Sequence, residues 1–117
     1  MITCLVTRPL PNSWSTAGGG TRTISIGTGN DEAKAIALQT DGKIVAVGTT
    51  YNGLIFDFAL VRLVDDGNAN GIKVTTSIGT ANAATANAVM IQSDGKIVAD
   101  GGIGGAASSF ALVRYLP

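Results

Sequence analysis

The chain has 117 residues, of which 45% are apolar and 14% are charged, with eight basic and eight acidic side chains. This length suits one domain, residues 1–117, with a substantial core. Balanced and scattered charges exclude a basic surface that reads phosphates, and no apolar run is long enough for a membrane-spanning helix, so we expect neither nucleic acid nor membrane as a partner.

Residues 1–20 are predicted to form an N-terminal strand and a loop. Residues 2–8 look like a further copy of a strand type that occurs twice later in the chain, which makes this strand surplus to the repeats. The segment has no basic start, and its apolar run is shorter than that of a signal peptide. The chain as given therefore leaves the location open, with the cytoplasm as the default.

The rest of the chain contains an internal duplication. Residues 33–48 read AKAIALQTDGKIVAVG and residues 86–101 read ANAVMIQSDGKIVADG, an offset of 53. The segments FALVR and IGT each recur at an offset of 52. We predict a first repeat over residues 21–64, and a connecting loop plus a second repeat over residues 65–117.

Each repeat divides into four short runs that are rich in β-branched, aromatic and alanine residues, as strands are. The runs are 23–26, 35–39, 43–47 and 56–64 in the first copy, and 73–78, 88–92, 96–99 and 109–116 in the second. Asp-Gly at 41–42 and 94–95 predicts a tight hairpin with positive φ at both positions. Because the middle runs are apolar on both faces, both faces must be covered.

Small four-stranded antiparallel sheets that repeat at a fixed interval are typical of β-propeller blades. The pattern Q-x-D-G-K-I-V-A-x-G, followed by F-A-L-V-R, resembles the delta-sixty repeat family of bacterial β-propeller repeats. The resemblance covers about residues 21–117 and implies two blades in tandem. It implies no known chemistry, and related repeats often occur in secreted or surface proteins.

Two blades fall short of the four to eight that close a propeller, which would leave large apolar sheet faces in water. Three arrangements can bury them. The chain can form a homo-oligomer, with a trimer or tetramer closing a ring. The two sheets can instead collapse onto each other as a β-sandwich. The chain can also be a fragment of a longer propeller.

Four residues are candidates for ligand binding. Trp14 and Tyr51 fall in predicted loops, where an aromatic face could stack on a sugar or fill a partner's pocket. Asp31 and Glu32 are adjacent and occur only in the first copy, so they could contact a ligand. If the segment is extended, their side chains point to opposite sides and cannot act as a paired acid and base.

A weak alternative is a calcium loop. Asp66, Asn68 and Asn70 stand at alternate positions before Gly71, as calcium ligands do, but the twelfth position is Ser77 and not glutamate. A plain turn is the simpler interpretation. The duplicated Asp and Lys of each D-G-K segment are interpreted as parts of the turn rather than as a site.

The chain has no histidine and one cysteine, which excludes histidine-based triads, intramolecular disulfides and thiolate zinc sites within one chain. We expect no cofactor and no enzymatic activity. The sequence favours a structural or interaction module that assembles into a propeller-like oligomer and binds a protein partner. The alternative is a small lectin-like carbohydrate-binding protein.

Overall fold

The computed structural model describes residues 2–6, 20–63, 72–78, 83–104 and 108–117. These residues form β-strands and turns and no helix, as the composition predicts. No candidate for a helical membrane span occurs in this described part. The strands are β1 (Ile2–Val6), β2 (Gly20–Ile24), β3 (Asp31–Leu38), β4 (Ile44–Tyr51), β5 (Phe56–Leu63), β6 (Ile72–Thr76), β7 (Ala84–Ile91), β8 (Ile97–Ile103) and β9 (Ser109–Tyr115).

The described strands form three antiparallel sheets, and within each sheet the neighbouring strands follow one another along the chain. The β1–β2 hairpin is one sheet. The first sheet of the repeats has the order β3-β4-β5-β6, and the second has the order β7-β8-β9. The all-β prediction and the small antiparallel sheets are therefore confirmed. The described residues supply four strands to the first sheet and three to the second.

Strand β6 belongs to the first sheet, where it pairs with β5 from Phe58 opposite Thr76 to Arg62 opposite Ile72. The sequence repeat instead predicts this segment to be the first strand of the second copy. Because β6 follows β5 in the chain, it can complete the antiparallel meander at the β5 edge. The sheets are thus offset by one strand from the sequence repeats.

The predicted hairpins between β3 and β4 and between β7 and β8 are present, but the turn type differs. The Gly42 N–H donates to the Gln39 carbonyl at 3.0 Å, and the Gln39 N–H donates to the Lys43 carbonyl at 2.8 Å. Gly42 has a φ of 88° and Gly95 a φ of 84°, while no other residue type in the described chain has positive φ. These features match a three-residue loop, in which a type I turn precedes a left-handed glycine. The expectation of positive φ at both Asp and Gly is wrong for the aspartates.

A glycine is required in the middle of β4 and again in β8. The register shifts in β3 opposite Gly48 and in β7 opposite Gly101, so one extra residue bulges from each first strand. A methyl group added at Gly48 would overlap the Glu32 carbonyl oxygen, and one added at Gly101 would overlap the Thr85 carbonyl oxygen. The bulge therefore brings the two backbones too close for any side chain.

The main core lies between the two repeat sheets and pairs large side chains with small ones. Strand β7 crosses the face of the first sheet and packs against β3, β4 and β5. This arrangement lets the sheets approach closely without voids. From the first sheet come Val45, Val47, Phe58 and Leu60, and from the second Ala84, Ala86, Ile97, Ala99 and Ala111.

A second, smaller core covers the opposite face of the first sheet. There Ile24 at the end of β2, with Ile26 just after it, packs on the sheet. At the contact between the repeat sheets, Val74 and Ile78 pack in the same way against the main core. The buried residues of the first sheet in this core are Ile44, Ala46, Val61 and Leu63.

Candidate functional site

The side chains of Asp31 and Glu32 point to opposite sides of strand β3, as those of adjacent residues in an extended strand do. Asp31 accepts hydrogen bonds from the Thr50 hydroxyl at 2.5 Å and from the Ile26 N–H at 2.9 Å. Glu32 instead pairs with the Lys34 ammonium at 2.9 Å on the exposed side. The prediction that they cannot work as a pair is thus supported by where their partners lie. Trp14 falls outside the described residues.

The structure brings Asp31 into a polar cluster at the end of the first sheet, made of Asp31, Thr50, Asn52 and Asp57. Thr50 lies directly opposite Asp57 in the β4–β5 pair. The Asn52 side-chain amide donates to Asp57 Oδ2 at 2.9 Å. Asp57 is only 5% exposed, and its Oδ1 has no hydrogen-bond partner among the described residues. The sequence analysis did not single out Asp57. The available signal was that Asp57, like Asp31 and Glu32, occurs only in the first copy, since its equivalent in the second copy is Ser109.

The electrostatics of Asp31 suit anchoring rather than proton transfer. Burial raises the pKa of Asp31, but the hydrogen bonds it accepts, including those from Thr50 and Ile26, outweigh burial and bring the pKa to about 2. A carboxylate with this pKa is ionised at neutral pH and has no proton to donate. Within the described residues, no group of three or more acidic or cysteine side chains could hold a metal ion.

Tyr51 is engaged in packing rather than presented to solvent as a free platform. Its ring stands 5.0 Å from that of Phe56, centroid to centroid, at an angle of 46°. A methyl group at Gly29 would come within 2.9 Å of Tyr51, so the loop that carries Gly29 runs close beside this residue. Gly29 therefore has a steric reason to lack a side chain.

The side chain of Asn52 bridges the loop between β4 and β5. Asn52 Oδ1 accepts hydrogen bonds from the N–H groups of Leu54 and Ile55, at 2.9 and 3.0 Å. Gly53 adopts a φ of 100° within this turn. Leu54 stands at the tip with 87% of its surface exposed. The loop therefore presents an apolar side chain on an ordered backbone.

The duplicated D-G-K turns are structural, as predicted. Asp41 accepts from both the ammonium and the backbone N–H of Lys43, at 2.8 and 3.1 Å, and Asp94 does the same with Lys96 at 2.7 and 3.1 Å. These hydrogen bonds lower the pKa of each aspartate. Both pairs are solvent-exposed, so they orient the turn and contribute little to stability. The calcium alternative at Asp66, Asn68 and Asn70 lies outside the described residues.

Among the residues that the structure describes, nothing covers one face of the second repeat sheet, which we call the open face and define by Met90, Phe110 and Leu112. Phe110 is 92% exposed and Leu112 is 69% exposed. Their equivalents in the first copy, Phe58 and Leu60, are 0% and 3% exposed. The same side chains are therefore core in one sheet and surface in the other. A shallow groove of about 300 Å³ at this face is lined by Asn87, Gly101, Gly102, Ser108, Ser109 and Phe110.

The first repeat sheet has a complementary uncovered region, which we call the outer face and define by Ile36 and Leu38. These side chains are 55% and 61% exposed. Their equivalents in the second copy, Val89 and Ile91, pack against the core between the sheets. The two sheets thus stack head to tail, and each free surface repeats one side of the contact inside the molecule. A sandwich made from equivalent apolar faces would bury Phe110 with Phe58, which is not the arrangement found.

Short antiparallel sheets stacked head to tail at a fixed sequence interval define an all-β protein of the β-propeller type. Two segments, residues 39–70 and 92–117, match the family described as "Domain of unknown function (DUF5122) beta-propeller". Each segment begins at the glutamine before a D-G-K turn and includes the two strands that follow. No curated protein and no solved structure gives a significant match to the chain.

Proposed function

We propose that this protein is a non-catalytic structural and interaction module of the delta-sixty type, which assembles head to tail into a propeller-like ring. The open face of one copy would lie on the outer face of the next, as the second sheet lies on the first within one chain. The supporting observation is the contrast between buried Phe58 and exposed Phe110 at equivalent positions. Three or four copies would supply six or eight sheets, which is within the range of closed propellers.

The energetics favour a closed ring over an open pair. Burying five apolar side chains at each contact contributes on the order of 10 kcal/mol, at ~2 kcal/mol each. That is comparable with the ~4–15 kcal/mol of lost freedom that each association costs. A ring has one more contact than it has association steps, so the last contact forms without a further loss of this kind. The side chains are Met90, Phe110 and Leu112 of one copy and Ile36 and Leu38 of the next.

The test introduces a charge at the contact and compares it with an equally exposed control. Phe110→Asp should leave the single chain folded, because this side chain is in water there, but should abolish assembly. Leu54→Asp changes a side chain of similar exposure away from both faces and should assemble like the wild type. Sedimentation velocity of the three proteins gives the masses. Equal assembly of Phe110→Asp and wild type would contradict the head-to-tail contact.

The proposal also includes binding of a protein partner by the assembled ring. Its support is the Leu54 loop, since an exposed apolar side chain on a hydrogen-bonded backbone can enter a partner's pocket with little loss of backbone freedom. A ring would repeat this loop once per copy and so provide multivalent binding. The lectin-like alternative stays a prediction; among the described residues, its candidate Tyr51 already packs against Phe56.

A further inference from the structure

We infer that two copies join by strand exchange, in which β2 of one copy pairs with the exposed edge of β9 in the next and completes its sheet as the fourth strand. In this exchange β9 takes the place that β1 occupies beside β2 in the single chain. The inference rests on the proposed assembly and names the segment that mediates it. Its occupant is a second copy of this chain, for the reasons that follow.

The sequence repeat makes β2 equivalent to β6 and β9 equivalent to β5. Residues 20–24 of β2 lie 52 positions before residues 72–76 of β6, and the following S-I-G-T at 25–28 is repeated at 77–80. Residues 58–62 of β5 lie 52 positions before residues 110–114 of β9, with F-A-L-V-R in both. Strand β6 completes the first sheet by pairing with β5. By equivalence, a strand of the β2 type completes the second sheet by pairing with β9.

The edge of β9 offers the hydrogen-bonding groups for this strand. The Lys96 carbonyl and the Gly104 N–H both bond towards β7, at 2.8 Å each, so the even-numbered residues of β8 face β7 and the odd-numbered ones face β9. Opposite them, Ala111 and Val113 pair with β8 through hydrogen bonds. The backbone groups of Phe110, Leu112 and Arg114 therefore point to the other edge, where no strand pairs among the described residues.

Strand β2 lies on the outer side of the first sheet, where the proposed assembly places the second sheet of another copy and its fourth strand. Ile26, just after β2, packs on the outer side of the first sheet, whereas its equivalent Ile78 packs against the core between the two repeat sheets. The first sheet therefore separates β2 from β9 of the same chain, so pairing within one copy is excluded. In the proposed assembly, the three-stranded sheet of a second copy would lie beside β2 on this outer side, where β1 lies in the single chain.

The repeat also fixes the register of the exchange. In the β5–β6 pair, Phe58 faces Thr76 and Leu60 faces Val74. The equivalent pairs between copies are Phe110 with Ile24, Leu112 with Arg22, and Arg114 with Gly20. In the single chain these three β2 residues face Ile2, Cys4 and Val6 of β1. The exchange replaces five pairs of β1–β2 with five pairs of β9–β2 and also covers the open face.

A single cysteine substitution allows β1 to be linked covalently to β2 by oxidation and freed again by reduction. Cys4 lies directly opposite Arg22, and facing residues of antiparallel strands have Cα atoms about 4.5–5.5 Å apart, within the range for a disulfide. Oxidised Arg22→Cys should tie β1 to β2 and remove the assembled species at concentrations where wild type assembles. Reduction of the same sample should restore it. Thr23→Cys is the control, because it faces Thr3 and lies on the other side of the strand.

The outcomes separate this inference from the proposed function. Loss of assembly on oxidation of Arg22→Cys, reversed by reduction and absent from Thr23→Cys, supports strand exchange. Equal assembly of the oxidised and reduced forms overturns strand exchange and leaves head-to-tail stacking intact. A wild type that stays monomeric overturns both.

A second pair of variants tests the same edge without a disulfide. Leu112→Pro removes the N–H that faces the open edge, whereas Leu112→Ala removes the same leucine and keeps that N–H. The proline variant should assemble at least about tenfold more weakly than the alanine variant. The reason is that proline removes one hydrogen bond between the strands and disturbs the adjacent one. Equal affinities of the two variants would contradict pairing at this edge.

Discussion

The equivalent phenylalanines of the two repeats give a direct prediction, because the same truncation should have opposite consequences. Phe58→Ala removes a side chain with 0% exposure from the core between the sheets. The lost transfer free energy is about 2 kcal/mol. The cavity, of the order of 100 Å³ before relaxation, adds about 2 kcal/mol. We expect the free energy of unfolding to fall by about 4 kcal/mol.

Phe110→Ala removes a side chain that is 92% exposed in the single chain. At concentrations where the protein is monomeric, its free energy of unfolding should therefore change by less than about 0.5 kcal/mol. The same variant should lose assembly at higher concentration. Urea titrations followed by circular dichroism measure the first effect, and sedimentation measures the second.

The comparison refutes the reasoning if the dilute Phe110→Ala protein is destabilised as much as Phe58→Ala, since Phe110 would then be buried within one chain. A Phe58→Ala variant that loses less than about 1 kcal/mol would equally contradict the assigned core. Because a loss of 4 kcal/mol is a large part of the stability of a small domain, Phe58→Leu serves as a milder companion and should lose about 1 kcal/mol.

Two further predictions concern the first sheet. Gly48→Ala should lower the free energy of unfolding by about 2–3 kcal/mol, because the new methyl meets the Glu32 carbonyl. Gly102→Ala, whose methyl would stand 3.7 Å from its nearest neighbour, should change it by less than about 0.5 kcal/mol, and similar losses in both would contradict the bulge. Because the pKa of Asp31 is lowered to about 2, this carboxylate contributes stability that is present above pH 4 and is lost as the pH falls towards 2. Asp31→Asn should reduce the stability difference between pH 5 and pH 2.5 by roughly 1 kcal/mol or less, since solvent screens this partly exposed group. Unfolding curves at the two pH values measure it, and an unchanged difference would show that Asp31 is not held by its partners.

Much of the fold could be predicted from the duplicated sequence. The apolar runs and the Asp-Gly turns set the β-strands and the hairpins, and the alternation of large and alanine side chains accounts for the close contact of the sheets. The assignment of β6 to the first sheet could not be predicted, because a repeat in sequence does not say where a sheet begins. The turn type also escaped prediction, since Asp-Gly occurs both in two-residue loops with positive φ at both positions and in three-residue loops with positive φ at the glycine alone.

The candidate site was predictable in part. Asp31 was correctly separated from Glu32 by the alternation of a strand, but its partner Thr50 lies 19 residues away and no local pattern links them. The pairing of Asn52 with Asp57 depends on the shape of one loop. The open face could not be predicted from Phe110 itself, because an identical phenylalanine in the first copy is fully buried. Only the stacking order of the sheets distinguishes the two.

The mass of the wild-type protein in solution, measured by sedimentation equilibrium over a range of micromolar concentrations, tests head-to-tail stacking most directly. The open face and the outer face predict a single closed species with three or four times the mass of one chain, in equilibrium with monomer on dilution. A protein that remains monomeric across the whole range, with a sharp unfolding transition, would show that these faces tolerate water and would contradict the proposed ring.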